Sequence, residues 1–310
     1  MTEFGKWFPD DQACRAYLIR LRWPEGFGCR HCGHPQYWIT SRGWLHCRSC
    51  RKDTSVTAGT IFHRSHLSPK AWFQAIWWMT NQKGGISALG IQRALGLGSY
   101  ETAWMMLHKL RRAMVRPGRE KLSGTVEVDE TLVGGHRPER RGHVGRSVVV
   151  IAAEARGKGM GRIRLKRVRS PSRESLQGFV RESVAEGSAI LTDGAWGYDG
   201  LGKSFDHRWT VLDGQPKAAA IRVLPRVHRV ASLLKRWILG THQGSVSGRK
   251  IDYYLDEFAF RFNRRGSEHR GKLFYRLLQQ AVAIPPTHRR DLVGASNKRT
   301  GAETRLPSIG

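Results

Sequence analysis

Apolar residues recur at helical spacing in DDQACRAYLIRLRW, and the run stops at Pro24 and Gly26, which predicts a helical lead-in within residues 1–28. Cys14 falls on its apolar face and reads as a core residue. Strand formers around a Gly43 turn follow in QYWITSRGWLHC. The run SPKAWFQAIWWMTNQKGG predicts a helix capped by Ser68, opened by Pro69 and stopped by Gly84-Gly85. Residues 86–114 divide into two helices around Gly96-Leu97-Gly98, with Ser99 capping the second. Beyond Pro117-Gly118 the period shortens, and TVEVDETLV, SVVVIAAEAR and GRIRLKRV read as successive strands. SRESLQGFVRESV is helical, SAILTDGAWG is a buried strand with a turn, and RWTVL is a short strand. Three helical stretches close the pattern: VHRVASLLKRWIL, YYLDEFAFRFNRR and GKLFYRLLQQAV. From about Ala283 the chain turns Pro-, Arg- and Gly-rich, which predicts a disordered tail. The expected organisation is a lead-in helix and cysteine-bearing unit over 1–60, a helical region over 61–118, a strand-rich α/β domain over 119–283 and a tail over 284–310.

Charge changes this picture of an ordinary globular chain. Lys and Arg number 53 against 25 Asp and Glu, a formal net charge of +28, which predicts a polyanionic partner, nucleic acid above all. A ribosomal or membrane-surface protein is the plain alternative. No apolar run approaches the roughly 20 residues that span a bilayer, and the N-terminus lacks the pattern of a signal peptide. Four of the five cysteines form two CxxC pairs, which points to a reducing, cytoplasmic setting and to metal in place of disulfides.

The pairs are Cys29–Cys32 and Cys47–Cys50, separated by fourteen residues. Each tight turn places two thiolates together, and two such turns make a tetrahedral sulfur site for structural zinc, with the intervening hairpin of a zinc ribbon. A redox CxxC would need one pair only. His31, His34 and His46 read as bystanders. The helices over 87–114 read as helix-turn-helix-like, with Lys109, Arg111 and Arg112 near the end of the second, or as a plain helical hairpin. Between Arg156 and Arg173 stand eight basic residues and no acid. Arg162, Arg164 and Lys166 alternate on one strand face, either a solvated edge or a set of phosphate contacts.

Against this background VEVDETLVGG is unexpected, since Glu127, Asp129 and Glu130 crowd an apolar strand. Residues two apart on a strand share a face, so Glu127 and Asp129 point the same way. Asp193 ends a second apolar strand just before a glycine turn, either as a turn former or as a cleft ligand. Two aspartates on neighbouring strands bind Mg²⁺ or Mn²⁺ through oxygen and leave room for phosphate, and the cation removes the repulsion between carboxylate and DNA.

The zinc-ribbon start, VDETLVGG, LTDGAWGYDGL, the LLKR helix and YLDEFAFRFNRR together resemble the DDE-type transposases of bacterial insertion sequences, and more narrowly the ISXO-type group. The resemblance covers roughly residues 20–283. It implies an α/β, RNase H-like catalytic domain, a mixed sheet flanked by helices, preceded by a DNA-binding region with zinc ribbon and helix-turn-helix-like helices. It implies Mg²⁺-dependent cleavage and strand transfer on double-stranded DNA at terminal inverted repeats, by a homodimer or higher oligomer. Asp129 and Asp193 match the first two catalytic positions. The third is often Glu, seven residues before a Lys; here seven before Lys235 stands His228. Neutral imidazole can ligate the metal or hold a phosphate or water. Alternatively Glu257 or Asp256 supplies a third acid. By the resemblance Lys235 touches the DNA end near the scissile phosphate. Two readings compete with a transposase: a catalytically inactive DNA-binding relic, and an RNase H-like nuclease that never joins.

Overall fold

The computed structural model describes residues 2–116, 118–134, 146–211, 221–244, 246, 248 and 250–293. The expected tail from 294 onward lies outside the described residues, as do residues 135–145 after the VDETLV strand and residues 212–220 after RWTV. Among the described residues no helix is long and apolar enough to cross a membrane.

Helices α1 (Thr2–Trp7) and α2 (Asp11–Arg22) lead into a small antiparallel sheet of β1 (Tyr37–Ile39), β2 (Leu45–Cys47) and β3 (Asp53–Thr54). Asp10 caps α2 by accepting from the Ala13 amide, and Ser68 caps α3 (Pro69–Asn81) in the same way through Ala71. Helix α4 (Ala88–Leu95) ends on Gly96, whose φ of +61° is the left-handed conformation that glycine adopts without strain, and α5 (Tyr100–Ala113) follows. The apolar faces of α2, α3 and α5 meet in one core that includes Leu18, Phe73, Ile76 and Leu107. Cys14 belongs to it, fully buried, and burial pushes its thiol up to about 12.

The second core is a five-stranded mixed sheet in the order β6-β5-β4-β7-β8: β4 (Thr125–Val133), β5 (Ser147–Arg156), β6 (Gly159–Val168), β7 (Ala189–Thr192) and β8 (Asp206–Trp209). The first three strands form an antiparallel meander, and β7 and β8 continue it in parallel. Helix α6 (Arg173–Ser183) covers one face with Leu176, Phe179 and Val180. Helices α7 (Pro225–His242) and α8 (Ile251–Phe262) cover the other with Val230, Leu234, Leu255 and Phe258. This is the RNase H-like arrangement expected.

The remaining helices qualify the expected organisation. Helix α9 (Arg270–Ala283) leaves the sheet and packs its Leu273, Phe274, Leu277 and Leu278 into the N-terminal core against α2 and α3. Its amphipathic pattern demands burial but does not say against which core. Residues 284–293 hold a further short helix, α10 (Arg289–Val293), anchored by the buried Leu292. Arg111 does not project toward a groove as a basic recognition residue would. It is 1% exposed and donates through Nε to Glu257 at 2.8 Å, joining α5 to α8.

Candidate metal centres and catalytic cleft

The four cysteines come together as their spacing predicts. Sγ of Cys29 lies 3.5 Å from that of Cys50, Sγ of Cys32 lies 3.6 Å from that of Cys47, and the four sulfurs sit within 4.8 Å of one another. Zinc–thiolate bonds of ~2.3 Å at tetrahedral angles put sulfurs roughly 3.8 Å apart, so the donor set fits zinc. The His31 amide, 3.5 Å from the Cys29 sulfur, pulls that thiol down to about 6, toward the thiolate a metal needs. His46 bonds Asp53 at 2.6 Å, outside the quartet. Replacing Cys50 with Ser is expected to remove zinc from the purified protein and to loosen the β1–β3 hairpin, checked by metal analysis and protease sensitivity.

The carboxylates of β4 divide by strand parity. Parallel pairing of β4 with β7 ends at Glu127–Leu191, and two residues further along each strand stand Asp129 and Asp193. They therefore lie on one face, the face covered by α7, where the strands are released from each other. Asp129 accepts from the Glu130 amide through Oδ1 at 2.7 Å, and its Oδ2 is 3.9 Å from His228 Nδ1. Asp193 accepts from the Ala195 amide at 3.1 Å, and Gly194 turns the chain at a φ of +81°. The Asx turn and the cleft position coexist.

Burial, then Glu130 and Asp193, push the Asp129 carboxyl up to about 7, against the smaller opposing pull of the Glu130 amide and Lys235. Burial and Asp193 likewise raise Glu130, although Tyr198 opposes this by donating its hydroxyl to Glu130 Oε2 at 2.8 Å. Negative charge is thus crowded here without enough local compensation. His228 Nε2 is buried with no hydrogen-bond partner. Lys235, two turns further along α7 and exposed, has its pKa lowered by desolvation and then by Arg146, with Asp129 acting in the opposite sense. Asp129 thus has His228 at 3.9 Å and both Asp193 and Lys235 within electrostatic reach. Among the described residues, however, only the cysteines are drawn tightly enough to be a ready-made cage of three or more ligands.

Glu257 is not a further ligand. It is fully buried and pairs with Arg111 and Arg261, each at 2.8 Å. Burial pushes its carboxyl up, but Arg111 and then Arg261 outweigh it and hold it at about 2. Asp256 lines a basic cleft at the outer edge of β6, away from Asp129.

Glu127, which had no assigned role, positions the helix that carries His228. Its buried carboxylate accepts from the amides of Arg226 at 2.6 Å and Val227 at 3.0 Å, and from the Arg226 guanidinium at 2.7 Å. Helix α7 opens with Pro225 after Leu224, which supplies no side-chain cap, so Glu127 satisfies the orphan amides from a neighbouring strand. The sequence signal is that missing cap, together with the face Glu127 shares with Asp129. Glu130 and Tyr198 are the other pair that sequence reasoning passed over. Their bond ties the turn after Asp193 to β4 beyond the point where the ladder stops.

Comparison with known proteins agrees with this architecture. Residues 9–53 match the transposase zinc-ribbon domain and residues 121–263 match the ISXO2-like transposase domain. A relative from Halobacterium salinarum, described as an uncharacterized protein in transposable element ISH50, is 26% identical over 291 residues, spanning 85% of this chain and 95% of the relative. A solved simian T-cell lymphotropic virus intasome in complex with the PP2A regulatory subunit B56 gamma overlaps 59% of this chain and 70% of its own at 12% identity, with a TM-score of 0.33. That likeness is too slight to bear on fold or function.

Proposed function

We propose, for a chain whose residues 9–53 and 121–263 match the transposase zinc-ribbon and ISXO2-like transposase domains, that the region beside β4 and β7 is a divalent-metal site where insertion-sequence DNA is cut and its freed 3′ end joined to target DNA. The observation that carries this reading is the convergence of Asp129 and Asp193 on one face, beside His228. The residues suit Mg²⁺ or Mn²⁺: hard carboxylate oxygens, an Asp129 whose ionisation Lys235 only partly offsets, and an imidazole nitrogen left without a partner. Asp129 and Asp193 would hold the ions, and His228 would complete or border the set. When bound, the ions stabilise charge on the attacking and leaving oxygens of an in-line displacement.

The chain itself supplies position. The Glu130 and Ala195 amides orient the two aspartates, and Glu127 holds the start of α7 and with it His228. The Tyr198–Glu130 bond keeps the Asp193 turn against β4. Lys235 offers a point charge to a phosphate of the DNA end. No side chain need act as nucleophile. Water attacks the scissile phosphorus and displaces the element's 3′ oxygen, leaving the phosphate on the 5′ end of the flanking strand. The freed 3′-hydroxyl then displaces a 3′ oxygen of the target strand. Both steps rest on positioning and electrostatics. The substrate is double-stranded DNA inside the cell. Holding two element ends together requires at least two copies of the chain.

The test is strand cleavage and joining on labelled element-end duplex with Mg²⁺ or Mn²⁺. Wild type is expected to cut at the end and then join, and His228→Ala to cut roughly 10–100-fold more slowly, as loss of a supporting metal partner does. Binding without cutting would overturn the enzyme reading in favour of a DNA-binding relic. Cutting that never leads to joining would reduce it to a nuclease.

A further inference from the structure

The basic strand β6 does not simply face solvent, and the way its charges are used points to a second DNA contact. Arg162 is engaged by Glu154 at 2.9 Å and Glu120 at 3.1 Å. Arg164, 5% exposed, donates to the Ile163 and Glu120 carbonyls, and Lys166 pairs with Glu182. These side chains build a wall. In front of it runs a cleft of about 330 Å³, between the α5–β4 connection, the end of α8 and the edge of the sheet. Five arginines line it (Arg116, Arg119, Arg162, Arg164 and Arg264) against two carboxylates, and Glu120, one of the two, is already paired. An adjoining cleft of about 350 Å³ shares Arg116, Arg119 and Arg164 together with Glu120 and Asp256, and adds Lys121, Lys166 and the Glu182 that pairs with Lys166. Through these shared residues the two clefts adjoin, and basic side chains outnumber acidic ones along both.

The arginines feel one another. Arg164 is pulled down to about 10 by burial and then by Arg119 and Arg162, and Arg264 is lowered by burial and then by Arg276 and Arg116. The groove carries positive charge that its own carboxylates leave uncompensated.

Strand register places the groove relative to the cleavage site. Asp129 pairs with Ile151, which pairs with Leu165; Arg164 pairs with Ala152, which pairs with Val128. Arg164 is therefore one residue off the level of Asp129 and two strands away, about 10 Å laterally, with its side chain on the opposite face, and the groove wraps the sheet edge from α8 to α6. A phosphate bound there is not the one being cut.

We propose that this groove at the outer edge of β6 binds the backbone of duplex DNA at a segment separate from the scissile strand, with Arg116 and Arg119 as its solvent-facing phosphate contacts. The proposal rests on the DNA-processing reading above and deepens it. Charge complementarity selects the partner: a chain of net charge +28 with an arginine-lined groove suits a continuous polyanion.

The test is binding of fluorescent duplex to the full chain without divalent metal, across a salt series. Arg116→Gln, an exposed position, is expected to lower the slope of log affinity against log salt by about one, and Arg116→Gln with Arg119→Gln by about two, with roughly tenfold weaker binding. A charge-matched control, Arg173→Gln with Arg208→Gln, is expected to bind within about twofold of wild type. Unchanged binding by the groove variants, or equal loss in the control, overturns the proposal. So does inorganic pyrophosphate binding that vanishes in the groove variants while duplex binding persists, since the groove would then be a small-anion site. A chain that binds DNA through Arg116 and Arg119 yet never cuts leaves this proposal standing and overturns the proposed function. Cleavage by a chain whose DNA affinity ignores both arginines does the reverse.

Discussion

Asparagine at position 129 is expected to lower strand cleavage by roughly 10³-fold or more while making the metal-free protein more stable at pH 8. Both effects follow from one placement. Asp129 stands among Glu130 and Asp193 in a partly desolvated mouth, its side chain 17% exposed, and its carboxyl is pushed up from 3.8 to about 7. The folded chain keeps this proton where the unfolded chain has released it. Stability therefore falls as pH rises from about 4 to 7, and the penalty stands in full above 7. Ionised Asp129 costs the metal-free fold on the order of 4 kcal/mol at most. An amide of the same shape carries no such penalty, and it also cannot supply an anionic oxygen to a cation. Urea unfolding at pH 5 and pH 8 checks the first half: the gain in Asp129→Asn should be large at pH 8 and small at pH 5. Mg²⁺ should stabilise wild type against heat and leave the variant unmoved.

Glutamine at position 127 is expected to destabilise the fold by about 3 kcal/mol, as loss of one member of a buried charge pair does. Glu127 is fully buried and answers two backbone amides and a guanidinium at once. An amide in its place leaves the Arg226 charge without its partner and turns donor against donor at the start of α7. The stability loss is read from denaturant midpoints. Cleavage should fall further than the folded fraction accounts for, because His228 and Lys235 ride on that helix. An equal loss in both would make Glu127 a stability residue alone.

What was legible in the sequence had local form. The cysteine spacing leads directly to the sulfur quartet, and period-two parity put Glu127 and Asp129 on one face before any partner was known. A carboxylate at a strand end before Gly194 was recognisable as Asp193. His228 and Lys235 were harder: two helical turns put them on one side of a helix, but their place beside the aspartates was implied by the resemblance alone. The remainder lay in pairings across long sequence separations. Glu127 caps a helix 99 residues later, and Arg111 meets Glu257 across 146. Nothing local distinguishes an arginine that will reach phosphate from Arg111 or Arg164, which turn inward to a carboxylate or to carbonyls. Helix α9 shows a face to bury without showing that the N-terminal core receives it.

The central claim is that Asp129, Asp193 and His228 make one divalent-metal site. Mn²⁺ binding to the zinc-loaded full chain, followed by electron paramagnetic resonance, tests it without depending on turnover. The account predicts that wild type binds Mn²⁺, that Asp129→Asn and Asp193→Asn each lose it, and that His228→Ala weakens it roughly tenfold or more. Undiminished Mn²⁺ binding in Asp193→Asn would contradict the account, because the two aspartates would then not share an ion.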